Sequence, residues 1–198
     1  MSPRPRKVSD DELFAAVQAL MVRVSPNQLT LAAIAKEAGI TPAALVQRFG
    51  SKRGLMIALM QKFSDGSGEL VAMFERKYDS PLAALHAYAD CVADMAATPA
   101  AFVRSLAYLQ NDLSDSDLRR LLAKHARTTR EGLRRLIEAA ARNGELRPDA
   151  PAASLARTVE AIFSGSMLTW VIYQEGTARK WVRVDLDAVL APYSKEGN

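Results

Sequence analysis

From Ser9 to Leu190 apolar residues recur at three- and four-residue spacing, and no sustained run of β-branched residues alternates with a period of two. This pattern excludes a sheet-based architecture and predicts an all-α chain. Caps and prolines divide it into segments. Ser9-x-x-Glu12 forms a capping box ahead of Leu13, Phe14, Val17, Leu20 and Met21. Thr30 caps a short helix that stops at Gly39, and Thr41-Pro42 opens another reaching about Phe49. Ser51 caps a longer helix, which the Gly66-Ser67-Gly68 step kinks or ends before Leu70–Tyr78. Ser80-Pro81, Thr98-Pro99, Ser114-x-x-Asp117 and Asp149-Ala-Pro151 start four more, and a last helix covers roughly Lys180 to Leu190. The expectation is about nine helices, three short ones near the N-terminus and a larger helical body.

Composition narrows the class. At 198 residues, with 49% hydrophobic and 24% charged residues, the chain is an ordinary globular protein of one or two domains. Cys91 is its single cysteine, which excludes an intramolecular disulfide and fits a reducing, cytoplasmic setting. The basic start, Arg4, Arg6 and Lys7, runs into Ser9-Asp10-Asp11-Glu12 instead of an apolar core, so it does not read as a secretory signal. The uncharged stretch Ala161–Gln174 falls short of the ~18 residues a membrane helix needs.

Charge is unevenly placed. Up to Leu55 eight cations meet four anions, whereas the other 18 cations and 18 anions cancel, so the entire excess of +4 lies in the first quarter. That asymmetry suits a nucleic-acid-binding module on a neutral body, or a solvated basic tail.

The stretch Leu29–Phe49 favours the first reading. Two short helices flank a turn with Gly39 where positive φ is needed. Ala35 and Ala38 allow a close helix crossing, and Ile34, Ile40, Leu45 and Phe49 form an apolar wedge. The other face of the second helix presents Thr41, Ala43, Ala44, Gln47 and Arg48, the layout of a helix-turn-helix whose second helix enters the major groove. A plain αα-hairpin lacks this combination of caps, glycine and basic flanks.

From Ser9 to about Met60 the chain resembles the DNA-binding domain of the TetR (tetracycline-repressor-like) transcriptional regulators. The resemblance rests on Thr30, Ile34-Ala35, Ala38-Gly39-Ile40-Thr41, Leu45 and the Phe49-Gly50-Ser51-Lys52-Arg53-Gly54-Leu55 ending. It implies a DNA-binding domain over residues 1–54 and a helical effector-binding and dimerisation domain over 55–198. The Gly144-Glu-Leu-Arg-Pro-Asp149 turn between two long helices also matches. Val46 departs from the family, which often carries a tyrosine there that touches the DNA backbone; Arg48 is the nearest substitute. Ala43 stands where many members have glycine.

The expected DNA-binding set is Thr30, Thr41, Pro42, Ala43, Ala44, Gln47, Arg48 and Lys52. Gln47 has the chemistry to pair with adenine N6 and N7, while Thr41, Ala43 and Ala44 suit thymine methyls or nearby phosphates. Thr30 and Lys52 stand at helix N-termini, where an anion is favoured, and resemble the family's phosphate contacts. Arg4, Arg6 and Lys7 read equally as an arm along the duplex or as an idle tail.

The resemblance also implies a small-molecule pocket in the body and a homodimer built on its last two long helices. Phe63, Tyr88, Cys91, Met95, Phe102, Leu106, His125, Phe163, Met167 and Trp170 are the candidate pocket residues, although most serve equally well as plain core. Tyr88, Asp94, His125 and Glu160 are candidate polar anchors. For the dimer, Gly165 and Ser166 permit close approach, with Leu155, Val159 and Ile162 filling the seam.

The function expected is transcriptional regulation, most simply repression: a homodimer on a palindromic operator of double-stranded DNA, released by a small apolar or amphipathic effector. Enzyme motifs are absent: the sequence has no His-Glu-x-x-His, no P-loop and no Gly-x-Ser-x-Gly. No cofactor and no metal is expected. The competing reading is an architectural DNA-binding protein whose body dimerises and senses nothing.

Overall fold

The computed structural model describes residues 8–96 and 98–194. Arg4, Arg6 and Lys7 lie outside the described residues. The fold is all-helical, with ten α-helices among the described residues and one isolated antiparallel bridge between Leu146 and Ser194. The tally exceeds the expected nine because the chain breaks at Gly66, separating α4 (Lys52–Asp65) from α5 (Ser67–Lys77).

Two compact units emerge. One comprises the chain up to Ser64 together with Val103–Leu122; the other comprises Asp65–Phe102 and Ala123 onward.

The first unit starts with α1 (Asp10–Arg23), whose N-terminus is closed by the expected capping box: Ser9 Oγ accepts from the Glu12 amide, and Glu12 accepts from the Ser9 amide. Next come α2 (Leu31–Ala38) and α3 (Pro42–Phe49). Leu13, Val17, Leu29, Ile34, Leu45 and Leu55 are fully buried and form a single cluster with Phe14 and Tyr108. Phe14 also packs on Phe49, with ring centroids 6.1 Å apart.

This unit is larger than the segment 1–54 marked out in sequence. It takes in the second part of α7 (Pro99–Ser114) and the start of α8 (Ser116–Arg142), and specific bonds hold them there. Tyr108 donates its hydroxyl to the Val24 carbonyl at 3.0 Å, and Arg104 Nε donates to Val22 at 2.7 Å. Arg53 grips both oxygens of Asp115, at 2.6 and 3.0 Å, and reaches Asp117 at 2.7 Å. Asp115 is also the true cap of α8, accepting from the amides of Asp117 and Leu118; Ser114, expected in that role, instead donates to the Gln110 carbonyl.

The second unit contains α5, α6 (Pro81–Asp94), α9 (Ala152–Tyr173), α10 (Ala178–Leu190) and the remaining parts of α7 and α8. Helices α6, α9 and α10 pack on one another. Gly132 of α8 lies so close to α5 that a Cβ there would meet the Val71 side chain at 2.9 Å. Glu145, just after the α8 terminus, accepts from Ser80 Oγ at 2.8 Å and from the Leu82 amide at 2.9 Å, tying that turn to the start of α6.

Candidate nucleic-acid interface

The turn between α2 and α3 is set by local chemistry. Gly39 adopts φ 69°, and the following Ile40 amide closes back onto the Ala35 carbonyl at 3.0 Å. This is the backbone closure a glycine stop permits. Thr41 then accepts from the Ala44 amide at 3.1 Å and Pro42 occupies the first helical position, so α3 starts abruptly. Its far end is fixed as tightly. Ser51 Oγ accepts from the Gly54 amide at 3.0 Å, and a Cβ on Gly54 would collide with the Phe49 carbonyl.

Leu45 and the half-buried Phe49 anchor α3. Leu45 is fully buried, while Thr41, Pro42, Ala43, Val46, Gln47 and Arg48 are exposed and Ala44 is half-buried. The amide of Gln47 has no hydrogen-bond partner among the described residues, so both its donor and its acceptor remain free for a base edge. Val46, which is 46% exposed, adds an apolar contact point that suits a thymine methyl.

The cations are less free than the sequence suggests. Arg48 donates to the Val8 carbonyl at 2.8 Å, pairs with Asp10 and lies over the Phe49 ring. It therefore joins α3 to the start of α1, and taking over the missing tyrosine's contact would require breaking those bonds. Lys52 is half-buried and donates to the Pro26 carbonyl at 2.9 Å; burial lowers the pKa of its ammonium. Thr30 is exposed and accepts from the Ala33 amide at 3.1 Å, as a cap should. Its hydroxyl hydrogen remains available to an acceptor.

The candidate pocket residues do not form one set. Phe63 and Leu106 belong to the first unit. In the second unit Tyr88, Phe102, Phe163, Met167 and Trp170 are buried, and Cys91 and His125 are half-buried. Met95, just past the end of α6 at Asp94, is 67% exposed, and Phe63 is 41% exposed.

Tyr88 meets the edge or face of Phe74 and Phe163, at centroid distances of 6.0 and 5.7 Å, and burial pushes its hydroxyl up to about 12. His125 Nδ1 is 2.6 Å from Ser67 Oγ, and burial lowers its pKa, which keeps the ring neutral near pH 7. Sequence reasoning missed Ser67 altogether. Of the other proposed anchors, Glu160 is taken by Arg130 at 2.5 Å, and Asp94 by Arg179.

The residues expected at the seam are placed unevenly within the subunit. Leu155 and Val159 are buried inside the subunit, and Ser166 Oγ donates to Asp185 Oδ2 of α10 at 2.5 Å. Ile162 is half-buried. Gly165 is exposed with open space beside it. The outward stripe of α9 is Ala161, Gly165, Leu168 and Ile172, all exposed at alternating four- and three-residue steps.

A helix-turn-helix with a free amide on its second helix, joined to a larger helical body, defines the class as a helix-turn-helix regulator. Residues 13–59 match the family model described as bacterial regulatory proteins, tetR family, and residues 82–186 match the tetracyclin repressor-like C-terminal domain. The chain belongs to the TetR family of transcriptional regulators.

Solved structures agree on the fold. A TetR transcription regulator from Haloarcula marismortui superposes with a TM-score of 0.78 at 17% identity, covering 94% of this chain and 98% of that one. SmeT, the repressor of the Stenotrophomonas maltophilia multidrug efflux pump SmeDEF, gives 0.70 at 19% identity, covering 98% and 94%. FadR from Bacillus subtilis in complex with stearoyl-CoA gives 0.70 at 14%, covering 92% and 98%. No curated protein sequence resembles the chain significantly.

Proposed function

We propose that the protein is a repressor that binds a palindromic operator as a homodimer in the cytoplasm and is released by a small apolar or amphipathic effector. The observation that carries the DNA-binding half is α3 itself: Leu45 holds it from beneath while Thr41, Ala43, Val46 and the unpartnered Gln47 face outward. Such a helix reads base edges in the major groove through Gln47, with Thr41 and Thr30 on neighbouring phosphates. The protein acts by binding, not by catalysis.

The homodimer follows from the operator's symmetry and from the outward stripe of α9. Leu168 and Ile172 of that stripe are 45% and 68% exposed, large apolar side chains of a kind that an interface covers. Effector release is a population shift: a ligand that prefers the conformation with misplaced recognition helices weakens operator binding by its differential affinity. Two relatives support an apolar effector and a repressive sign. The Bacillus subtilis FadR was solved with stearoyl-CoA, and SmeT represses an efflux pump. In this chain Tyr88, Phe163, Met167 and Trp170 supply the apolar wall, with His125 and Ser67 as polar contacts.

Selection of binding sites from a random duplex library tests this reading. The expected outcome is two inverted half-sites, protected together in a footprint. A pool with no preferred sequence would replace it with the architectural reading.

A further inference from the structure

The first unit carries an open cavity of about 250 Å³ beside the start of α4. Pro26 and Leu29 from the α1–α2 connection, Met56 from α4, Tyr108 from α7 and Leu118 from α8 wall it. Asp112 of α7 also lines it. That residue is only 8% exposed, and its carboxylate has no hydrogen-bond donor among the described residues. An ionised carboxylate so placed is costly unless something cationic meets it.

The neighbouring cations are already engaged. Arg53 spends its guanidinium on Asp115 and Asp117, and Lys52 gives its ammonium to the Pro26 carbonyl. Neither of these two cations bonds to Asp112. Burial, followed by the negative charge of Asp115, pushes the Asp112 carboxyl up to about 6, so it is mostly ionised at neutral pH.

A metal ion is poorly served here. Calcium or magnesium asks for about six oxygen ligands, whereas Asp115 is held by Arg53 and only the Asp112 oxygens are open. Among the described residues no group of three or more His, Cys, Asp or Glu side chains is placed to hold one. Apart from Asn111 the remaining walls are apolar, which selects a cation with hydrocarbon attached.

We propose that this cavity is a binding site for a small organic cation, a protonated primary amine on a short apolar body, with the ammonium on the Asp112 carboxylate and the body against Leu29, Met56 and Leu118. The volume lies below the ~300 Å³ at which ordinary ligand pockets begin, so the body is short. The site lies in the DNA-binding unit and is separate from the effector pocket proposed for the second unit. It does not depend on the operator reading, because it is tested on the free protein.

The test is thermal unfolding of the full-length protein with n-butylammonium and benzylammonium, and with n-butanol and benzyl alcohol as neutral counterparts. The amines are expected to raise the melting temperature of the wild type with concentration, and the alcohols to leave it unchanged. Asp112→Asn keeps the shape and removes the charge, so it should abolish the rise.

A second arm needs no variant. The other charged groups lining the cavity with Asp112 are Lys52 and Arg53 on α4 and Asp115 just before α8; Tyr108, whose pKa burial raises, stays neutral. Protonation of Asp112 competes with the amine, so affinity should fall about tenfold between pH 7 and pH 5. Equal shifts with the alcohols, an undiminished shift in Asp112→Asn, an affinity unchanged at acid pH, or no shift with either amine at millimolar concentration would each overturn the proposal.

Discussion

Helices α3 and α9 each leave one face uncovered within the subunit, and the two faces are opposite in kind. On α3 the face is short and largely small or polar: Thr41, Ala43, Val46 and Gln47 around one buried leucine. On α9 it is a stripe of Ala161, Gly165, Leu168 and Ile172 over a helix whose inner side is fully engaged with its own subunit. The first surface has directional donors and acceptors and little apolar area, so it suits a partner read by hydrogen bonds. The second has apolar area and a glycine gap and no directional group, so it suits a partner that buries it. Mutation of the recognition face is thus expected to leave assembly intact, whereas loss of assembly also removes the linked half-site contacts.

The largest effect should come from the α9 stripe. Leu168→Glu with Ile172→Glu leaves the buried side of α9 intact and places two charges in the proposed seam. The expected result is a folded monomer by sedimentation. Operator affinity should fall about 10²–10⁴-fold, the contribution of linking two half-site contacts. A double variant that still sediments as a dimer would move the seam elsewhere and erase the contrast between the two faces.

Next is the anchor under α3. Leu45→Ala empties a fully buried position and should cost about 2–5 kcal/mol. Because Leu45 belongs to the first unit, denaturation followed by hydrogen exchange should show the loss in α1–α3, with α9 and α10 protected as before. Equal loss in both units would show that the recognition helix is not independently anchored.

What could be read in sequence separates along the same line. The first unit's helices are set by local signals, and those signals worked: the Ser9–Glu12 box, the Thr30 and Thr41 caps, Pro42, and Gly39 at positive φ. The outward and inward sides of α3 were largely legible too, because Leu45 and Phe49 share one face at i, i+4, although Val46 turned out to be exposed on the other. Helix α9 offered no such choice. Apolar residues occur on most of its circumference, so spacing alone could not tell that Leu155 and Val159 point inward while Leu168 and Ile172 point outward. Long-range partners were equally invisible. Nothing near Tyr108 announces its bond to Val24, and nothing near Lys52 announces Pro26.

Gln47 tests the directional half of the comparison. Gln47→Ala removes a free amide that makes no bond within the described residues, so stability should be unchanged. Discrimination at one base pair of each half-site should fall by about 1–3 kcal/mol, with nonspecific binding retained. Selection from a random library, run beside the parent, reads this directly; an identical motif and discrimination would remove Gln47 from the interface.

Lys52 should give the smallest and most specific effect. Its ammonium sits at the start of α4 but donates to the Pro26 carbonyl, so it has a structural bond to surrender before it meets a phosphate. Partial burial lowers its pKa and weakens the charge's hydration, which makes an exchange of carbonyl for phosphate less costly than for a fully hydrated lysine. Lys52→Gln keeps a donor for Pro26 and removes the charge. The expected outcome is uniform weakening on all sequences, with the slope of log affinity against log salt reduced by about one unit. A slope that stays as steep as the parent's would assign Lys52 to holding the α1–α2 connection alone, leaving the phosphate contacts of this unit to Thr30, Thr41 and the backbone amides at the helix starts.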